Sequence, residues 1–291
     1  MLVARRSCKI AWQLSVESLP YTLLLLLGQF AAGCALVTLA CQLRGSFEAA
    51  FIRTCSWLAV AGSGFGAVTA LAIRPSPLVD SYALDIDVMR PMRAIMLAFF
   101  LFSFAYAYFV RREEDALLAT ATGATTAGLG AISLVMMAFL VRDPVWSVAG
   151  PLLGLFAGAL TLGAVTVAMI WGHWYLVNPR LPEGPLNEMT LLSLGAIVLE
   201  LVVTAINAAV PVGAALGSDA LLAVDLPENP AFWLRVGVGL IFPALLAFMA
   251  YKSSTERAMM SATGLLYIAV GAVLAGEALG RGLLFVTAAP V

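Results

Sequence analysis

Residues 21–40 read YTLLLLLGQFAAGCALVTLA, twenty consecutive positions without a charged side chain. At about 1.5 Å per residue this run makes a helix of about 30 Å, the thickness of the hydrocarbon core of a bilayer. A barrel strand would be about ten residues of alternating character, and the run does not alternate. Backbone groups in lipid have no water to bond to, so a helix is the solution left.

Outward from this stretch the pattern repeats. Further apolar runs cover about Trp57–Ile73, Met92–Val110, Leu117–Val141, Gly150–Trp171 with an extension into HWYLV, Leu191–Val210, Phe232–Met249 and Met260–Phe285. The expected fold class is all-α: a polytopic integral membrane helix bundle with about eight transmembrane helices. Composition agrees, since 62% of the 291 residues are hydrophobic and 11% are charged, where a soluble domain carries about a quarter charged residues. Residues 20–291 form a single transmembrane domain in this reading. Residues 1–19 have the basic start of a signal peptide without a short apolar region and cleavage site. They are expected to form an amphipathic arm at the interface, with Trp12 on the membrane side.

The net charge is −1 and no basic stripe is present, so nucleic-acid binding has no electrostatic support. Cys8, Cys34, Cys41 and Cys55 form no C-x-x-C pair; Cys34 and Cys41 share a helical face and read as packing residues. No hydrolase elbow, phosphate loop or H-E-x-x-H motif occurs, and the two aspartates of LDID resemble a metal pair only loosely, so no metal site is assigned.

An even number of spans places both termini on one side. The opposite loops carry Arg44, Arg53, Arg111, Arg112, Arg180, Lys252 and Arg257, whereas SDALLAVDLPENP (218–230) on the terminal side has acids and no base. These loops favour termini on the non-cytoplasmic side; Arg5, Arg6 and Lys9 favour the reverse. Small-residue pairs at Gly62/Gly66, Gly154/Gly158 and Gly276/Gly280 allow close helix approach. No internal repeat of the kind found in many transporters is visible. Pro243 is the one proline inside a span rather than near its end.

Glu200 is the sharpest polar signal, near the middle of GAIVLELVVTAINAAV (195–210). A carboxylate there costs several kcal/mol unless it is protonated, paired or hydrated. Thr204 and Asn207 follow at i+4 and i+7 on the same face. Two readings stand: a proton-relay or ligand group facing the interior, or a structural contact between helices. Glu277 and Arg281 form an i,i+4 ion pair in LAGEALGRGLLFV (274–286), which lowers the cost of both charges. His173 is the only histidine. One imidazole cannot supply both axial ligands of a bis-histidine haem, which is thereby disfavoured. His173 suits a quinone contact or proton transfer, or a place in the aromatic belt with Trp171, Trp174 and Tyr175. Arg90 and Arg93, beside the third span, and Arg142, with Asp143, are candidates for anchoring helices or contacting a partner subunit.

Two stretches carry a resemblance. LLGQFAAGCALV (26–37) and GEALGRGLLF (276–285) resemble the opening glutamine–small–glycine segment and the closing acid–glycine–arginine–aromatic segment of the membrane anchor subunits of dimethyl-sulfoxide-reductase-type complexes. The eight-span plan without a soluble domain is similar as well. The resemblance covers the two ends of the chain. Where the family often has a histidine–small–glycine segment after the second span, this chain reads TALAIRPSPL (69–78), without histidine. It implies an anchor subunit in a bacterial cytoplasmic membrane that exchanges electrons and protons between quinol and partner subunits holding haem or iron–sulfur centres. Quinone is the implied small molecule, and Glu200, His173, Thr204 and Asn207 are the residues available to it. The alternatives are a structural or assembly subunit without redox role, and a proton-coupled transporter with Glu200 and Asn207 at its site.

Overall fold

The computed structural model describes residues 17–80, 82–112, 116–142, 145, 147–178, 181–210 and 226–291. Most of the expected interfacial arm, as well as Cys8, Asp143 and Arg180, lies outside these residues.

Among the described residues, eight helical segments are long and apolar enough to cross a membrane. They comprise α1 (Leu19–Arg44), α2 (Ala49–Ala72), α3 (Met89–Arg111), α4 (Ala116–Leu140), α5 (Ala149–Val177), α6 (Gly184–Ala209), a composite seventh span and a final helix. The seventh span consists of α7 (Pro230–Val236), a π-helical turn at Gly237–Ile241 and α8 (Phe242–Thr255). The last helix is α9 (Met259–Thr287). The chain is thus an all-α polytopic membrane bundle, as the runs of apolar sequence require.

Burial ranks the helices. In their most apolar windows α5 is 72% buried and α1 67%, against 50% or less for every other span, so α1 and α5 are the central pair. Apolarity on all sides is what a helix enclosed by other helices requires. The two cross through glycine: a Cβ on Gly33 would run into the Ala159 carbonyl, and one on Gly163 into the Gly33 backbone. Lipid tails are as apolar as leucine, so association here rests on such close backbone contact rather than on expulsion of water. Around this pair α1 touches α2, α4 and α9, while α5 touches α6 and α9.

The π turn has a local cause. Pro243 has no N–H and its ring crowds the carbonyl four residues earlier. The chain widens one turn ahead of it, and Pro243 then falls in the first turn of α8, where a missing N–H costs nothing.

The segment between α2 and α3 also folds. β1 (Leu78–Val79) and β2 (Tyr82–Ala83) pair antiparallel around Asp80, whose φ is 52°. The Tyr82 hydroxyl donates to the Val141 carbonyl at 2.5 Å, and the Asp85 N–H to the Leu140 carbonyl at 3.0 Å. Both carbonyls end α4 and have no partner within the helix. Tyr82 also packs on Phe285 of α9, ring centroids 5.2 Å apart. The hairpin therefore closes the end of the bundle where α1 starts and α9 stops, here called the proximal end.

Gly33→Val inserts two methyl groups and a Cβ where α1 and α5 are in backbone contact. Overpacking of this kind costs about 1–3 kcal/mol, and a fall in thermal stability of the detergent-solubilised protein, with helix content unchanged at low temperature, is the expected reading.

Candidate functional site

α6 carries Glu200, Thr204 and Asn207 on one face, and all three are buried. α9 brings Glu277 and Arg281 to the same place, also buried, and Arg281 Nη2 donates to Glu277 Oε2 at 3.2 Å. The expected i,i+4 pair is therefore formed, well inside the helix. The group that joins α6 to α9 is Arg235 of α7, fully buried. Its Nη2 donates to Glu277 Oε1 at 2.6 Å and also to Glu200 Oε1. Gln29 of α1 completes the centre: its Nε2 donates to Glu277 Oε2 at 3.0 Å and to the Leu155 carbonyl at 3.3 Å. Two guanidinium groups and two carboxylates thus share one enclosure, with formal charges that cancel.

Glycines make the room. A Cβ on Gly158 of α5 would strike both the Glu277 carboxylate and the Gln29 amide. One on Gly276 would meet Gly239 of the π turn and come within 3.1 Å of Arg235 Nη1. Three of the four glycines in the pairs at 154/158 and 276/280 would, with a side chain, come within 3.1 Å of a polar side chain of this centre, so these pairs hold charged groups as well as helix backbones. Asn207 ties down the proximal side, with Nδ2 donating to the Pro290 carbonyl at 2.8 Å and the Gly150 carbonyl at 3.2 Å.

Depth follows from helix register. Gln29 is ten residues into α1 and Glu277 ten residues from the end of α9, each about 15 Å from the proximal end. Arg235 is five residues into α7, about 7–8 Å deep. The centre therefore occupies the proximal half of a hydrocarbon core of about 30 Å.

Several of its atoms have no hydrogen-bond partner among the described residues: Glu200 Oε2, Gln29 Oε1, Asn207 Oδ1, and both Nε and Nη1 of Arg235 and Arg281. Buried polar atoms in this state mark a place for water or a polar ligand.

The other candidates lie elsewhere. His173 is near the opposite end of α5, fifteen residues from Gly158, about 22 Å along the helix. It is exposed, with Nδ1 2.9 Å from the Tyr267 hydroxyl, and the neighbouring Trp174 donates to Glu48 at 3.0 Å. His173 and Glu200 therefore lie apart along the bundle. Arg93 donates to the Ala70 and Ile73 carbonyls at 2.9 and 2.5 Å, so it anchors the end of α2. Arg142 pairs with Asp85 at 2.8 Å, and Arg90 is exposed. Cys34, Cys41 and Cys55 are buried free thiols.

Two members of the centre were not singled out from the sequence as polar interior groups. Arg235 falls inside the apolar run starting at Phe232, and a lone arginine in such a run carries the same signal as Glu200. Gln29 entered only through a resemblance, because a neutral amide in an apolar helix is inexpensive enough to pass as packing.

A second feature lies at the proximal end. A groove of about 570 Å³ opens between the start of α1 and the end of α2, lined by Tyr21, Leu23, Val68, Thr69, Ile73 and Ser76 among others. Ser76 N–H donates to the Tyr21 hydroxyl at 3.4 Å.

Arg235→Met strips two buried carboxylates of their shared partner, which costs about 3–5 kcal/mol. Arg281→Met removes one charge-assisted hydrogen bond, worth about 1.5–3 kcal/mol. Denaturant unfolding of the two variants in detergent is expected to rank them in that order. Compared with known proteins, the chain matches no family model, no curated protein and no solved structure.

Proposed function

We propose that the chain is the membrane anchor subunit of a redox complex of the dimethyl-sulfoxide-reductase type, exchanging electrons and protons between quinol and partner subunits that hold iron–sulfur or haem centres. The observation that supports this most is the contact of Gln29 with Glu277 at 3.0 Å. These residues belong to the two stretches that resemble that family, 248 positions apart in sequence, and they meet at one buried centre.

Quinol is the substrate in this reading. Its oxidation releases two electrons to the partner subunits and two protons to water. The groove between α1 and α2 suits an isoprenoid quinol, since its lining is largely apolar, with Glu17, Arg74 and Ser76 among its polar members. The Tyr21 hydroxyl, which accepts from Ser76 N–H, keeps its own proton free to donate to a quinone oxygen. The segment Arg74–Leu78 forms part of the rim, at the place where the family often carries histidine. The setting proposed is a bacterial cytoplasmic membrane with the proximal end on the non-cytoplasmic side.

A structural role in assembly is the second reading, favoured by one observation: the four charges of the centre cancel within a single network. Purification of the tagged chain from solubilised native membranes separates the two. The expected result is co-isolation of subunits with iron–sulfur or haem spectra and quinol-dependent reduction of an acceptor. Val68→Trp, which fills the groove from its lipid-facing wall, is expected to raise the KM for quinol about ten-fold without releasing the partners. A chain that purifies alone, with unchanged quinol oxidation in membranes lacking it, overturns the anchor reading.

A further inference from the structure

The two carboxylates of the centre are not equivalent. Glu277 accepts from Gln29, Arg235 and Arg281, so both of its oxygens are occupied. Glu200 accepts one charged donor, Arg235, through Oε1, and its buried Oε2 has only the Thr161 hydroxyl of α5 and the Glu277 carboxyl for polar neighbours. A proton reaching Glu277 competes with three donors, two of them guanidinium groups. A proton reaching Glu200 Oε2 displaces no charged donor, since Thr161 can turn its hydroxyl, and Arg235 keeps Glu277 as its counter-charge.

No other charge intervenes. α5 has no charged side chain and its one histidine lies at the far end; the only charge on α8 is Lys252, also at the far end; α1 contributes the neutral Gln29; α7 and α9 contribute Arg235, Glu277 and Arg281. Taking up one proton moves the centre from zero to one excess positive charge. In a low-dielectric interior that excess is costly, so the proton is readily given back.

The surroundings of Glu200 differ on its two sides. Toward the far end one unpartnered hydroxyl, Thr161 of α5, is followed by a plug of Leu162, Val165, Ile197, Leu240 of the π turn, Ala247 and Val273, all buried. Toward the proximal end the unpartnered atoms continue, with Arg281 Nε and Nη1 and then Asn207 Oδ1. Arg281 Nη1 and the Asn207 amide both lie near Gly154, 3.6 and 3.7 Å from where its Cβ would be. Each such atom suits a bridging water.

We propose that Glu200 is a one-sided proton-exchange site, its Oε2 taking up and releasing a proton through bridging waters that lead past Arg281 and Asn207 to the proximal face, while the apolar plug blocks the far face. The inference stands on the isolated chain and does not require the quinol reading.

Infrared difference spectroscopy of the purified chain in oriented proteoliposomes tests it. Lowering the pH at the proximal face is expected to raise a protonated-carboxyl C=O band that shifts in D2O. The band should be lost in Glu200→Gln, which is isosteric and keeps an acceptor for Arg235, and displaced in frequency in Glu200→Asp. Asn207→Leu should slow its rise after a pH jump about ten-fold. A band that persists in Glu200→Gln, that responds to pH at the far face, or that is missing from the wild type at every pH where helix content is intact overturns the proposal. Failure of quinol oxidation leaves all of these readings unaffected.

Discussion

Arg235 held between Glu200 and Glu277 is the interaction around which the rest of the bundle is arranged. A guanidinium at this depth has no water to solvate it, and only opposite charge at hydrogen-bond distance makes its burial tolerable. The two carboxylates come from different helices, so solvating Arg235 fixes α7 against α6 and α9 together. Gln29 then draws α1 into the same contact. Because the charges cancel locally, the ensemble can sit in hydrocarbon, whereas any one of its charged side chains alone would be costly there.

Glycine supplies the other half of that arrangement. Gly158, Gly276 and Gly239 leave open the volume that the carboxylates and guanidinium groups fill, and the Gly33–Gly163 crossing brings the two central helices into backbone contact. The π turn ahead of Pro243 belongs to the same set, since its Gly239 lies against Gly276 beside Arg235. Polar chemistry and close packing are therefore one structural solution here, because in lipid neither the hydrophobic effect nor water is present to separate them.

Much of the fold was legible because membrane helices announce themselves by length and apolarity alone. The expected spans and the observed helices differ by a few residues at their ends, and most at α2, which starts at Ala49 rather than Trp57, and α6, which starts at Gly184 rather than Leu191. Both extra segments hold polar residues that a hydropathy reading assigns to loops, although helix hydrogen bonding continues through them. Glu200, Asn207, Glu277 and Arg281 were readable one at a time, from the cost of each charge or amide in lipid. Their convergence was not, because contact between α6, α7 and α9 depends on rotation about each helix axis, which apolar composition on all faces leaves undetermined. The hairpin at Leu78–Ala83 was missed for a related reason: two-residue strands have no periodicity to detect, and this pair is held by the carbonyls at the end of α4.

The contact between Gln29 and Glu277 has a consequence for synthesis. The first span enters the membrane long before the last, so Gln29 has only the Leu155 carbonyl of α5 to donate to, and Arg235 and Glu200 must face each other without Glu277, until nearly the whole chain has been made. An insertion intermediate with seven helices carries an incomplete polar centre, with Gln29 lacking its carboxylate acceptor and Gly158 facing Gln29 without Glu277. Arrival of α9 is thus the step that completes the polar centre inside a bundle whose α1–α5 core is already packed.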